Sequence, residues 1–166
     1  MTDKATIDWL RNNVHMTGHA ASLKKDGEGE EAQVPAFGYL RGIRDRAITL
    51  EIRSKDGNTR WFPYSLMGAC QFNPSEGILL KFSGDLIYLV LIRGSNLDAP
   101  INDGQMNLTA AGLQRHRVVW IREMPEEDIK LVGDKGPTID SIVVEEFESH
   151  ADFREWLGRH APAFVK

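Results

Sequence analysis

His15 and His19 stand four residues apart, the spacing that places two imidazoles on one helical face, where they can hold a metal ion. A third ligand is missing, because no Glu follows His15 in the HExxH manner and Gly18 weakens a helix between the pair. The two therefore read as surface histidines. Arg41, Arg44 and Arg46 form a second group, and Arg115-His116-Arg117 with Arg93 form a third. Together they could build a cationic surface for a phosphate or carboxylate, since guanidinium forks match those anions. The competing reading has these arginines capping helix ends or pairing with acidic residues 123–152, and it is the favoured one. Trp61 and Phe62, beside Arg60, offer aromatic faces to a partner or to an unstacked base. Cys70 lies between apolar neighbours and reads as a small buried hydrophobe, without a basic partner near it in sequence. Glu76 and Asp85 occupy turns, and His150 and His160 flank a helix, so local hydrogen bonding covers all four.

No GxSxG, P-loop, GxGxxG or CxxC pattern is present, and nothing in the motifs implies a cofactor. An enzyme would need a pocket assembled from residues distant in sequence, with His116 the first suspect.

The elements that must position these residues are mostly strands. Ile48, Leu50 and Ile52 alternate with polar residues, and Asp56-Gly57 then signals a hairpin returning over 58–64. Further strands are expected at Met67–Phe72, Ile78–Phe82 and Leu86–Ile92, linked by Asn73-Pro74-Ser75-Glu76-Gly77 and Ser83-Gly84-Asp85. Leu86–Ile92 is apolar on both faces and predicts a strand covered on both sides. Either the C-terminal helix covers its second face or a partner does, including a second copy of the chain. A short helix is expected within Met106–His116 behind an Asp103 or Asn107 cap, then strands at Val118–Ile121 and Thr138–Phe147. In the last, Ile142 and Val144 should oppose Ile139 and Val143. Ser149-His150-Ala151-Asp152 resembles a capping box ahead of the stripe Phe153, Trp156, Leu157, His160, and Pro162 stops that helix. At the other end, Ile7, Leu10 and Val14 predict a helix over about Asp3–Val14, and polar, glycine-bearing residues 18–33 read as a linker.

The expected fold is α+β. An antiparallel β-meander curls into a small roll or partly open barrel, pleckstrin-homology-like or Sm-like, with N-terminal and C-terminal helices. Residues 1–34 form the N-terminal helix and flexible linker, and residues 35–166 one β-rich domain.

Four stretches carry a resemblance: Gly38-Tyr39-Leu40-Arg41-Gly42, Phe72-Asn73-Pro74-Ser75-Glu76-Gly77-Ile78, Ile92-Arg93-Gly94-Ser95-Asn96-Leu97 and His116-Arg117-Val118-Val119-Trp120-Ile121-Arg122-Glu123. As a set they resemble a group of uncharacterised bacterial proteins over roughly residues 36–124. These are turn and strand signatures, so the resemblance implies one compact unit ending near Glu123 and transfers no functional residue.

The 166 residues, with 42% hydrophobic and 27% charged, suit one globular domain, and the single cysteine excludes an internal disulfide. The start has no apolar h-region and no run is long enough to span a bilayer, so a soluble, cytoplasmic protein without a membrane role is expected. The formal charge of −4 is unevenly placed: residues 38–122 are +4 and residues 123–152 are −8. A basic excess of that size is small for a nucleic-acid binder. The leading expectation is therefore a non-enzymatic binding or assembly module, acting on a protein partner or on itself. The alternatives are an Sm-like or OB-like nucleic-acid-associated protein and an enzyme with a non-local site.

Overall fold

In a computed structural model that describes residues 29–165, two sheets face each other across a core and a helix backs the second. The first sheet begins with the hairpin expected from the alternation. Strands β3 (Thr49–Arg53) and β4 (Thr59–Pro63) pair antiparallel, with Leu50 and Ile52 buried between exposed or half-buried neighbours. Asp56 closes the turn by accepting the Asn58 amide at 2.9 Å, and Gly57 takes the positive φ that the turn requires.

The expected meander breaks after this hairpin. Pro63 ends β4, and a single 3-10 turn, Tyr64–Leu66, carries the chain to the other sheet. The strand expected at Met67–Phe72 contracts to β5 (Gln71–Asn73), and Met67 makes only a lone bridge to Phe82. Strands β6 (Gly77–Ser83) and β7 (Ile87–Ser95) follow, and β9 (Thr138–Phe147) completes a meander-like sheet in the order β5-β6-β7-β9. The first sheet runs β1 (Glu31–Gln33), β2 (Phe37–Leu40), β8 (Val118–Arg122), β3, β4, with β8 antiparallel to β2 and parallel to β3. The two sheets do not close into a barrel. β1 lies inside the stretch read as linker, since its pairing with β2 compensates for its weak apolar pattern.

Between the sheets sit Phe37, Leu50, Ile52, Phe62, Leu80, Phe82, Ile92 and Ile121, all buried. β7 is central, and its two faces go different ways. Val90 and Ile92 enter the inter-sheet core, while Leu89 and Leu91 meet a second cluster built on the C-terminal helix. That helix follows another, α1 (Glu126–Val132), and is labelled α2 (His150–His160). The Ser149 hydroxyl accepts the Asp152 amide at 3.2 Å, which caps the helix as its sequence predicts. Phe153 and Leu157 then pack onto Leu79, Leu89 and Leu91, at about 1.5–3 kcal/mol for each fully buried side chain. So the both-faced apolar strand is covered within the chain.

Two local departures have identifiable causes. Asp140 is the extra residue of a bulge opposite Arg93 and Gly94, and it resets the alternation. Ile139 therefore joins Ile142 in the inter-sheet core instead of opposing it. The expected Met106–His116 helix is a single π-helical stretch, Leu108–Leu113, in which the Asn107 side chain accepts the Ala111 amide at 2.8 Å. Gly112 lets this turn approach β8, because a Cβ there would press on the Val118 side chain and the Asn107 carbonyl.

α1 lies in the acidic segment before the strand expected at Thr138, a stretch in which no helix was expected. Its marks are Pro125 before the start, Glu126-Glu127-Asp128 in the first turn and Gly133 just beyond the end, the asymmetry that favours a helix dipole. No helix among the described residues is long and apolar enough to cross a membrane. The expected helix at Asp3–Val14 lies outside the described residues, as do His15 and His19.

Candidate functional site

The end of the first sheet where β8 begins gathers most of the candidate arginines. The loop 41–48 joins β2 to β3 there, and the loop 114–117 leads into β8. The Ala47 amide donates to the His116 carbonyl at 2.7 Å, which ties the two loops together. Arg41, Arg44, Arg46, Arg115 and Arg117 thus share one corner, and Arg93 does not. Arg93 lies on β7 in the other sheet, where it donates to Glu76 at 3.4 Å and to the His160 carbonyl at 2.8 Å.

The five corner arginines divide by burial. Arg117 is a strut, not a contact residue. It is 5% exposed, its Nε donates to the Leu40 carbonyl at 3.0 Å, and its Nη2 donates to the Arg41 carbonyl at 2.8 Å. Burial holds its pKa below the usual arginine value, and the neighbouring Arg46 and Arg115 charges add to that. Arg46 folds back on the carbonyls of Ile43 and Asp45, at 3.0 and 2.8 Å, and Arg41 meets Glu30 at 3.3 Å. Arg44 and Arg115 are exposed, and neither makes an ion pair among the described residues.

Two isoleucines stand among these charges: Ile43 is 69% and Ile48 is 85% exposed. Neither was a site candidate in the sequence, and the period-two pattern assigned Ile48 to the buried face of a strand. It falls one residue before β3, where its carbonyl accepts the Tyr64 amide at 2.9 Å and its side chain faces solvent.

The acidic segment leaves this corner uncovered. Glu123 accepts the amides of Lys55 and Ile142, both at 3.0 Å, Asp128 binds Arg122 at 2.7 Å, and Glu146 binds Arg60 at 2.7 Å. Thus among the described residues its ion pairs go to Arg60 and Arg122, not to Arg115 or Arg117. α1 follows the far end of β8, about 17 Å along a five-residue strand from Arg117. There α1 and the turn after it carry Glu126, Glu127, Asp128 and Asp134 against Lys130 and Lys135, while Leu131, 82% exposed, lines a groove with Arg53 and Arg122. The start of β8 therefore carries two exposed isoleucines among mainly basic groups, and the α1 end carries one exposed leucine among charges of both signs.

The remaining candidates take structural places. Phe62 is buried, stacked on Phe82 at 4.7 Å and edge-on to Tyr88, so only Trp61 of that aromatic pair faces solvent. β4 alternates, and its one inward aromatic belongs to the core. Arg60 is held by Glu146, which removes the cation from an RNA-stacking platform. His116 adopts a positive φ of 55° and stacks on Tyr64 at 4.5 Å, and among the described residues its ring makes no hydrogen bond to a nucleophile or carboxylate. Burial pushes the Tyr64 phenol up, and its hydroxyl donates to the Val118 carbonyl at 2.6 Å. Cys70 is half-buried, burial pushes its thiol up, and its Sγ lies 3.6 Å from the Met67 sulfur. That environment favours thiol over thiolate. No group of three His, Cys, Asp or Glu side chains suited to a metal ion occurs among the described residues. Compared with family models, curated proteins and solved structures, the chain matches none.

Proposed function

We propose that this chain is a non-enzymatic assembly module that docks head to tail, its basic corner against the α1 end of a second copy. The observation that carries this reading is the exposure of Ile43 and Ile48 among Arg44, Arg46 and Arg115. An exposed aliphatic pair ringed by arginines matches the make-up of interface centres, where arginine and apolar residues are enriched. At the opposite end of β8 the complement is the exposed Leu131 with the α1 carboxylates Glu126 and Glu127, beside Arg53 and Arg122. Charge complementarity of this kind steers encounter and fixes register more than it adds affinity, so the contact is weak and salt-sensitive.

A surface meeting a different surface on the next copy is heterologous, so association continues into rings or open chains instead of stopping at a two-fold dimer. Sedimentation velocity over a concentration series tests this. At low salt the weight-average mass should rise steadily with concentration, and at high salt it should fall back to the 18.7 kDa monomer. A strict monomer at every concentration in low salt rules the reading out.

A further inference from the structure

The covered face of the second sheet is not covered completely. α2 crosses β7 and β9, and the 3-10 turn Pro162–Phe164 reaches β5, which leaves a cleft of about 350 Å³ over β6. Its floor is apolar, made by Phe153, Leu157 and Phe164 together with Leu79. Its polar rim is Lys81, His150 and Arg154 with Gln71, and among the described residues no carboxylate lines it. Lys81 shares the helix-facing side of β6 with Leu79, two residues away, as the strand period requires. His150 and Arg154 stand one turn apart on α2, so both look into the same space.

The rim chemistry points one way. Lys81 Nζ lies 3.2 Å from His150 Nδ1, and a lysine ammonium has only donors, so Nδ1 accepts and Nε2 carries the proton. The rim then offers an ammonium, an imidazole N–H and a guanidinium as donors, beside the Gln71 amide, which donates or accepts. Lys81 also sits 5.2 Å from the centre of the Phe153 ring, which keeps it at the border of floor and rim. Asp152, in the first turn of α2, is not part of the lining. Ligand pockets of about this size are usually apolar with a few placed polar groups.

We infer that this cleft binds a small organic anion, a carboxylate on a short aliphatic chain, with the head at Lys81, His150 and Arg154 and the chain on Phe153, Leu157 and Phe164. An inorganic anion would leave the apolar floor wet, and a cation would meet three donor groups, two of them cationic, with the Gln71 amide oxygen the one rim side-chain acceptor facing them among the described residues. The site is separate from the basic corner and from α1, and it does not depend on the assembly reading.

The test is titration of the full chain with octanoate, followed by amide chemical shifts and by calorimetry, with inorganic phosphate and octylamine as controls. Octanoate should shift the amides of Leu79, Lys81 and Phe164, while phosphate and octylamine bind far more weakly. Arg154→Gln, at an exposed position, and Lys81→Met should each weaken octanoate about tenfold, since each removes a charge-assisted contact. Arg159→Gln, outside the cleft, should bind as the unaltered chain does. Failure of octanoate to bind, phosphate binding as tightly as octanoate, or unchanged affinity in both cleft variants would each overturn the inference.

Discussion

Arg117 donates to the carbonyl of Arg41 at 2.8 Å, so two arginines of one basic corner do different work. Arg41 keeps its side chain outside, on Glu30, while Arg117 turns inward and closes the end of β2. Leu40 donates back to the Arg117 carbonyl at 2.8 Å, which makes the link reciprocal. Arg117→Ala strands the buried Leu40 carbonyl and the part-buried Arg41 carbonyl, and unpaired buried acceptors cost about 1–3 kcal/mol each. Urea unfolding should show a loss of about 3 kcal/mol for Arg117→Ala. Arg115→Gln should stay within about 0.5 kcal/mol, as surface changes do. Equal, small effects at both positions would mean that Arg117 is no strut.

Trp120 depends on a glycine. Its indole lies against Gly38 on the neighbouring strand, under the Arg53 guanidinium at 4.4 Å, with Nε1 donating to Glu31 at 3.1 Å. A Cβ at position 38 would occupy the indole's place. Gly38→Ala should therefore lower the urea midpoint by the equivalent of about 1–3 kcal/mol, the usual cost of overpacking. A neutral or stabilising Gly38→Ala would contradict this packing.

The cover over β7 is tested by truncation on α2. Leu157→Ala removes a buried side chain from the second core cluster, and such changes cost about 2–5 kcal/mol. Trp61→Ala removes a larger but exposed side chain and should cost less than about 0.5 kcal/mol. The reverse order would show that Trp61 is packed and α2 is not.

How far these relationships were legible follows from their range. The β3–β4 hairpin, the β6 and β7 alternation and the α2 cap rest on neighbours within a few residues, and the chain states them locally. The split into two sheets does not, because β8 inserts between β2 and β3 and pairs parallel with a strand some 70 residues earlier. The bulge at Asp140, the turn of Arg117 inward and the burial of Phe62 all depend on those distant partners. α1 was within reach, since Pro125, the acidic first turn and Gly133 mark it. The cleft at Lys81 and His150 was not: its rim joins residues 69 positions apart.

Alkali should destabilise the fold. Burial pushes up both the Tyr64 phenol and the Cys70 thiol, so the unfolded chain ionises first. Their contribution is fully present below the unfolded-state values and is lost as pH rises beyond them, from about 8.5 for a thiol and about 10 for a phenol. Urea midpoints measured upward from neutrality should fall over that range, and Tyr64→Phe should flatten the fall above about pH 10. A midpoint that holds steady through strong alkali would show that neither group is protected.

The assembly reading is tested most directly by swapping charge. Arg44→Glu with Arg46→Glu should abolish self-association, and so should Glu126→Lys with Glu127→Lys on its own. Mixed at low salt, the two variants should associate with each other, because one keeps an intact basic corner and the other an intact acidic end. Sedimentation velocity of the mixture should show a species near twice the monomer mass that disappears at high salt. Two variants that each associate like the unaltered chain, or a mixture that stays monomeric while the unaltered chain associates, would contradict head-to-tail docking.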